Sequence, residues 1–382
     1  MLKTKSSSSC QLLYAASESC ADILYATNFF APDPFLLLIH RGRKILVVGD
    51  LEIDRARRQA SVDEVASLSS IEKALRGTKN KPPSQSQVIR FLLKERKINS
   101  AEIPFDFPAG LARELTRLGV HTRVKEPPFF EQREIKQPEE VRKVTFALRA
   151  AEKGMKRAEE MLRESVIGPK EILYWKEKRL TSELVKQAIG MAALENGFTV
   201  AHTIVACGEQ GCDPHEEGSG PLYAHQPIII DIFPRSQATG YWGDITRTFV
   251  KGKASPALRD LYQAVQAAQK RAIRMVRPGV IGKEIHQAVY EEYSRRGFRS
   301  GLIEGRMQGY FHGTGHGVGL EIHELPRIGP KGVLPLRANQ IVTMEPGLYY
   351  RGLGGVRLED LLLITETGSR NLTRFPQFFE IS

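Results

Sequence analysis

Cysteine is scarce: Cys10, Cys20, Cys207 and Cys212 are the only four in 382 residues. So few cannot staple a chain of this length, which excludes a disulfide framework and fits a reducing, cytoplasmic setting. Cys207 and Cys212 lie five apart without a second pair, so a zinc knuckle is not expected. No apolar run approaches the roughly 20 residues that cross a bilayer. The start, MLKTKSSSSCQLLYAASESC, holds a serine tract where a signal peptide would hold an apolar core. A membrane role is therefore not expected.

Acidic residues are outnumbered, 44 against 55 lysines and arginines, for a formal charge of +11. A nucleic-acid partner would need that charge concentrated. Instead it is scattered; the densest runs, RARR at 55–58 and KERK at 94–97, have no interleaved aromatics. They read as solvated helix faces, and no nucleic acid is expected. With 41% hydrophobic and 26% charged residues the composition is that of a soluble globular protein. The length predicts two domains.

Along the chain, FLLLIHRGRKILVVGD (35–50) places two apolar runs around a glycine-containing turn and predicts a hairpin. Helical patterns follow near 61–75, 87–97 and 109–118, making the first 123 residues mixed α/β. Proline and charge crowd VKEPPFFEQREIKQPEE (124–140), the expected linker. Beyond it Pro138 suits a first helical turn. Val141, Val144, Leu148, Ala151, Met155, Ala158 and Leu162 then recur at helical spacing and mark a core-facing stripe. Another helix is expected near 180–196, then strands at 227–233 and 243–250. Helices near 255–276 and 282–297 precede strands at 340–347 and 355–365. Helix, helix, strands thus occurs twice, which predicts a two-fold repeat within one α+β domain.

Against these ordinary features stands HGTGHGVGLEIHE (312–324), which carries His312, His316 and His323, three of only nine histidines. Its glycines do not follow the dinucleotide spacing, and it holds no H-E-x-x-H helix. Gly313, Gly315, Gly317 and Gly319 would each cost a helix up to about 1 kcal/mol. An open loop hung with imidazoles remains. Acids sit at strand ends elsewhere: Asp231 closes a run of isoleucines, Asp244 opens the facing strand, Glu345 ends IVTME, and Glu359 follows Arg357 in VRLED on one strand face. Four carboxylates on apolar strands repel one another unless cations lie between them. Two divalent ions would balance four negative charges. Oxygen donors with one imidazole favour Mn²⁺, Zn²⁺, Co²⁺ or Fe²⁺. Such ions can lower the pKa of bound water from 15.7 towards roughly 7 and polarise a carbonyl, so the chemistry expected is metal-assisted hydrolysis.

Taken together, GYWGDITRTF, HGTGHGVGLEIHE, TMEPGLY and GVRLED resemble the successive signatures of the creatinase-fold, or pita-bread, metallopeptidases. Within that superfamily the chain resembles the Xaa-Pro aminopeptidases and Xaa-Pro dipeptidases (prolidases). The resemblance implies a smaller, non-catalytic α/β N-terminal domain over 1–130, at the pocket rim or in oligomerisation. It implies a pita-bread catalytic domain with its two-fold pseudo-repeat over 131–382. Asp231, Asp244, His316, Glu345 and Glu359 fall on the metal-ligand positions, with Asp244 and Glu359 bridging two ions, Mn²⁺ first among the candidates. Glu345 matches the residue that shuttles the proton of the attacking hydroxide. His215, His312 and His323 match histidines that contact substrate, and Arg357 an arginine beside the metals. The substrates implied are Xaa-Pro peptides, and the assembly a homodimer. One departure stands out: Asp244 comes thirteen residues after Asp231, where in the family the second aspartate comes eleven on, and Phe233 replaces a glycine, so the pocket rim is expected to differ.

Proline lacks an amide N–H and has a fixed φ, so a site for this bond must fit the ring and protonate an imino nitrogen. Tyr310 or Phe311 is a candidate to touch it. Three alternatives remain: a methionine aminopeptidase, which has no such N-terminal domain; a creatinase, which does not keep the full ligand set; and a non-enzymatic binding protein of the same fold, which would have lost ligands.

Overall fold

The computed structural model describes residues 10–76 and 82–382, so the serine tract at 6–9 lies outside the described residues. The chain divides into two compact units, the first ending at Glu131 and the second running Gln132–Ser382.

The first unit is built on a six-stranded sheet. Its strands are β1 (Cys10–Ala15), β2 (Phe35–His40), β3 (Arg43–Val48), β4 (Glu64–Ser67), β5 (Ser100–Pro104) and β6 (His121–Lys125), in the order β4-β3-β2-β1-β5-β6. Residues 35–50 form the expected hairpin, Leu36 facing Val47 and His40 facing Arg43. Side chains alternate across a strand, so an apolar run such as FLLLI needs cover on both faces. Leu36 and Leu38 pack with Leu12, Ile45 and Val47 under Val88, Ile89 and Leu92, whereas Phe35 and Leu37 pack with Leu13, Leu46 and Val48 against Ile23 and Ala56. The helix expected over 61–75 is corrected: β4 occupies 64–67, and the helix is Leu68–Arg76. Val65 and Ala66 pair with Leu46 and Val47, and a free sheet edge outweighed helical propensity there.

The second unit opens with helix α1 (Pro138–Glu164) and α2 (Ser182–Leu194), and later α3 (Pro256–Met275) and α4 (Gly282–Arg295). Pro138 begins α1, and the Glu140 carboxylate accepts the Gln137 N–H at 2.8 Å. From Val144 to Leu162 the predicted stripe is buried. After α2 come β7 (Ile204–Cys207), β8 (Ile228–Ile232) and β9 (Ile245–Lys251); these form one sheet, with Glu380–Ile381 parallel to β9. After α4 come β10 (Gly315–Gly317), β11 (Glu324–Ile328), β12 (Ile341–Met344), β13 (Gly347–Tyr350), β14 (Gly354–Arg357), β15 (Asp360–Ile364) and β16 (Ser369–Asn371). The order β11-β10-β12-β15-β16 makes a five-stranded sheet, and β13 pairs with β14 as a ribbon. The single strand expected over 355–365 is thus broken at Leu358–Glu359. Arg357 belongs to the ribbon, and Glu359 occupies the break rather than the same strand face.

The linker expected over 124–140 is also corrected. It contains the unit boundary, but Arg133, Glu134 and Lys136 within it are buried. Arg133 and Lys136 both reach Glu324, and Glu134 accepts Arg337 at 2.8 Å and Gln340 at 3.1 Å. Charge-rich composition signals solvent exposure only where the charges lack partners in the fold.

Candidate active site

The β8–β9 pairing puts Thr246 opposite Asp231, and Asp244 just before β9. Thr246 also ties in the distant acid: its carbonyl accepts the Glu359 N–H at 3.0 Å, and its Oγ1 donates to Glu359 Oε2 at 2.8 Å. From the other sheet, His316 sits on β10 and Glu345 directly follows β12, its N–H donating to the Thr314 carbonyl at 2.8 Å. The glycines on either side of His316 are required by close backbone approach. A Cβ at Gly315 would lie 2.1 Å from the Thr343 carbonyl oxygen, and one at Gly317 would lie 2.1 Å from that of Leu325. Only glycine lets β10 fit between its neighbours.

Ligand atoms of Asp244, His316 and Glu359, all buried, lie within 4.8 Å of one another. His316 Nε2 is 3.2 Å from Glu345 and 3.8 Å from Asp244. Its Nδ1 lies 3.1 Å from the Gly317 carbonyl, an acceptor that turns Nε2 to the acids' side, where its proton is shared with Glu345 and its loss would free a lone pair for a cation. Asp231 is held by Arg357 at 2.8 Å through Oδ2, while its Oδ1 is buried without a partner.

This donor set suits cations. Burial first, then Asp231's charge, pushes Asp244 well above the usual carboxylate range. Glu359 is raised well above it by burial, with Asp244 and Glu345 adding to the effect. Asp231 is raised too, by burial that Arg357 only partly offsets. For Glu345 burial is outweighed by the hydrogen bond and charge of His316, which lower it, and burial of His316 is outweighed in turn by Glu345 and Asp244, which raise it. An orphaned buried oxygen and carboxylates that resist ionisation are what a cluster of acids shows when its counter-ions must come from outside the chain. The residues present fit divalent metal.

A cleft of about 780 Å³ opens on this cluster, lined by the four acids and the imidazole just named together with His215, His312, His323 and Arg357. Here the sequence missed a residue. The Tyr349 hydroxyl accepts Arg357 at 3.0 Å and lies 2.8 Å from His312 Nε2, whose Nδ1 is 2.7 Å from the Gly313 carbonyl. One consistent proton order runs from Arg357 to Tyr349 to His312 to Gly313. Burial pushes the Tyr349 phenol up to about 12 and His312 down to about 4, so at neutral pH the phenol keeps its proton and the imidazole is uncharged. His323 stands with its ring edge-on to His316, centroids 4.4 Å apart, and is lowered to about 4 by burial and the neighbouring His316 charge. His215 is exposed on the cleft wall. Tyr349 stood inside a quoted motif, but nothing in the sequence aims its hydroxyl at His312.

Other lining residues carried weaker signals. Arg327 and Phe233 line the cleft, and so does Phe311. Tyr310 does not: it is buried, with its hydroxyl against His286 and Thr314. The longer Asp231–Asp244 connection folds back as a short strand, Arg235–Ser236, pairing with Phe198–Thr199. Trp242 ties the connection to the histidine loop, donating from N to Gly319 O at 2.9 Å and from Nε1 to Leu320 O at 3.1 Å.

Comparison with known proteins sharpens this picture. The model of metallopeptidase family M24 matches residues 142–366, more than half of the chain. An Xaa-Pro dipeptidase of Pyrococcus horikoshii is 28% identical over 351 residues, 88% of this chain and 86% of that relative. One of Pyrococcus furiosus is 36% identical over 173 residues, 45% of this chain; that match spans about half of the relative, 47% of its length. The solved X-Pro aminopeptidase of Thermotoga maritima superposes with a TM-score of 0.80 at 22% identity, covering 97% of each chain, a likeness of fold. Fold, acid cluster and family model agree on the pita-bread architecture, and the chain belongs to metallopeptidase family M24.

Proposed function

We propose that the chain hydrolyses the Xaa-Pro peptide bond at the N-terminus of short peptides, using two divalent ions, Mn²⁺ first among them. One observation carries the reading: buried Asp231, Asp244 and Glu359 converge with half-buried Glu345 and the His316 imidazole at the base of an open cleft whose wall carries further histidines and two arginines. Asp231, Asp244, His316, Glu345 and Glu359 would hold the ions. Bound there, such ions supply an activated water and a polarised carbonyl. Glu345, kept below the ordinary carboxylate range, is the base that takes the proton of the attacking water and passes it to the departing imino nitrogen. His323 and His215 on the wall stabilise charge developing on the carbonyl oxygen, while His312, uncharged and held between Tyr349 and Gly313, shapes the wall beside them. Phe233 and Phe311 offer apolar surface for the proline ring.

Within this reading the first unit is non-catalytic, since every residue of the cluster lies after Gln132; two pita-bread halves, each two helices followed by strands, form one pseudo-repeat. A homodimer rests on the family likeness alone. Four free cysteines fit a reducing cytoplasm, and no helix among the described residues is long and apolar enough to cross a membrane.

A second reading, restriction to dipeptides, is favoured by Arg327. It is an exposed cation on the cleft wall, placed to pair with a carboxylate directly after the proline. Initial rates on Ala-Pro and Ala-Pro-Ala with Mn²⁺-loaded protein test both. Comparable or faster tripeptide cleavage supports an aminopeptidase, and cleavage of Ala-Pro alone supports a dipeptidase. Failure on both with two ions bound refutes the Xaa-Pro assignment.

A further inference from the structure

One buried ionic group in the second unit belongs to no part of the metal cluster. The side chain of Glu324 is 5% exposed, and it accepts Arg133 at 2.5 Å, Lys136 at 2.7 Å and the Glu321 N–H at 3.0 Å. Arg133 also reaches Glu321 at 2.6 Å. Lys136 in turn donates to the Arg133 carbonyl, and its own N–H is bound by Asn339 at 2.8 Å. Two cations from one four-residue segment thus saturate one carboxylate. Burial alone would raise Glu324, but Lys136 and Arg133 outweigh it and hold the group below the ordinary range.

The preceding residue is its opposite. His323 is exposed on the cleft wall, touches His316 edge-on, and among the described residues has no hydrogen bond to its ring. A ring without such a partner stands where its backbone puts it. That backbone is fixed from two sides. Glu324 pairs with Gly317 across β10 and β11, and Trp242 holds Gly319 and Leu320. The chain reverses at Gly319, where a Cβ would lie 2.6 Å from the Glu324 carboxylate and 2.8 Å from Lys136 Nζ. The turn is therefore moulded on the ion group itself.

Resting on the reading that His323 faces the substrate, we propose that Arg133, Lys136 and Glu324 are positioning residues that set His323 at the cleft. They touch neither metal ligands nor substrate and act through the backbone of 319–324. A merely structural ion group would stabilise the unit without acting through that one imidazole, and a double-mutant cycle separates the two roles.

The experiment uses the full, Mn²⁺-loaded chain with Ala-Pro as substrate. Lys136→Met is expected to lower kcat by about 10-fold, the scale of lost outer support at such sites, with metal content unchanged. Lys136→Arg should recover most of that loss. In a His323→Ala background Lys136→Met should have no further effect; effects that multiply overturn the proposal. If Lys136→Met does not fold, Glu324→Gln enters the same cycle. A second readout, made on Zn²⁺-loaded chain because Zn²⁺ is diamagnetic, is independent of turnover: the imidazole proton resonance that disappears in His323→Ala should shift in Lys136→Met, while those of His202 and His225 hold. An unmoved His323 resonance overturns the positioning role. Lack of Xaa-Pro cleavage by the wild-type chain overturns the proposed function instead, and leaves that resonance test intact.

Discussion

Two groups of buried charge lie in the second unit, and they resolve the same electrostatic problem in opposite ways. Around Glu324, two cations meet one buried carboxylate with further help from Glu321, and the carboxyl is driven below its ordinary range. Around Asp244, three other carboxylates meet one arginine and one histidine, and Asp244 and Glu359 are driven well above it. Both are out of water, where an unpaired charge is costly. The contrast teaches which buried acids a chain neutralises itself and which await ions from solution. It is a physical criterion for a metal site that does not depend on recognising a motif.

The strongest way to break the comparison is to remove an acid from the unbalanced group. Asp244→Ala or Glu359→Ala should abolish metal loading and turnover together. The fall in kcat/KM should exceed the roughly 100-fold that loss of a ligand's outer partner costs. Retained activity in either variant, read beside metal content, would remove that residue from the site.

Next comes pH. Asp244 and Glu359 have folded pKa values above their unfolded ones, so the folded metal-free chain binds more protons, and its stability falls as pH rises above about 4. Glu324 is lowered, so its contribution is present above the ordinary glutamate pKa and is lost as pH falls through its folded value. Below about pH 6.5 the lowered His312 and His323 act in the opposite sense, so thermal melts of chelator-treated protein should decline as pH rises from about 6.5 to 8, and Mn²⁺ should remove the decline. A slope indifferent to Mn²⁺ would mean that other groups set it.

Smaller effects sharpen the picture. Tyr349→Phe removes the link between Arg357 and His312 while leaving the ligands in place. It should cost about 10-fold in kcat/KM, roughly 1.4 kcal/mol, with metal stoichiometry unchanged. Trp242→Phe deletes a single hydrogen bond to Leu320. A loss of about 1 kcal/mol in denaturant unfolding is expected, the scale of one such bond, and kcat should fall less than in Lys136→Met because the Trp242 N–H still holds Gly319.

Long periodic segments were readable in advance. The stripe from Val144 to Leu162 and the hairpin at 35–50 follow from local spacing, which needs no knowledge of partners. Segments whose state depended on a neighbour were not. Glu64–Ser67 became a strand because β3 offered an edge, and VRLED broke at Glu359 so that the carboxylate could turn to Thr246. The charged stretch at 131–137 looked like a solvated linker because its partners, Glu324, Arg337 and Gln340, are some two hundred residues away.

For the site the division is similar. The sequence by itself determined residue types and their order: acids at strand ends, imidazoles on a glycine loop, and a resemblance that named five ligand positions. Only the tertiary structure decided distances, and distance sets both Coulomb energy and proton order. It brought Tyr349 between Arg357 and His312, turned Tyr310 into the core while Phe311 lines the cleft, and left Asp231 Oδ1 without a partner. Composition counts charges along a chain. Which of them are balanced is fixed by burial and by contacts between residues far apart in sequence, and those exist only once the strands have paired.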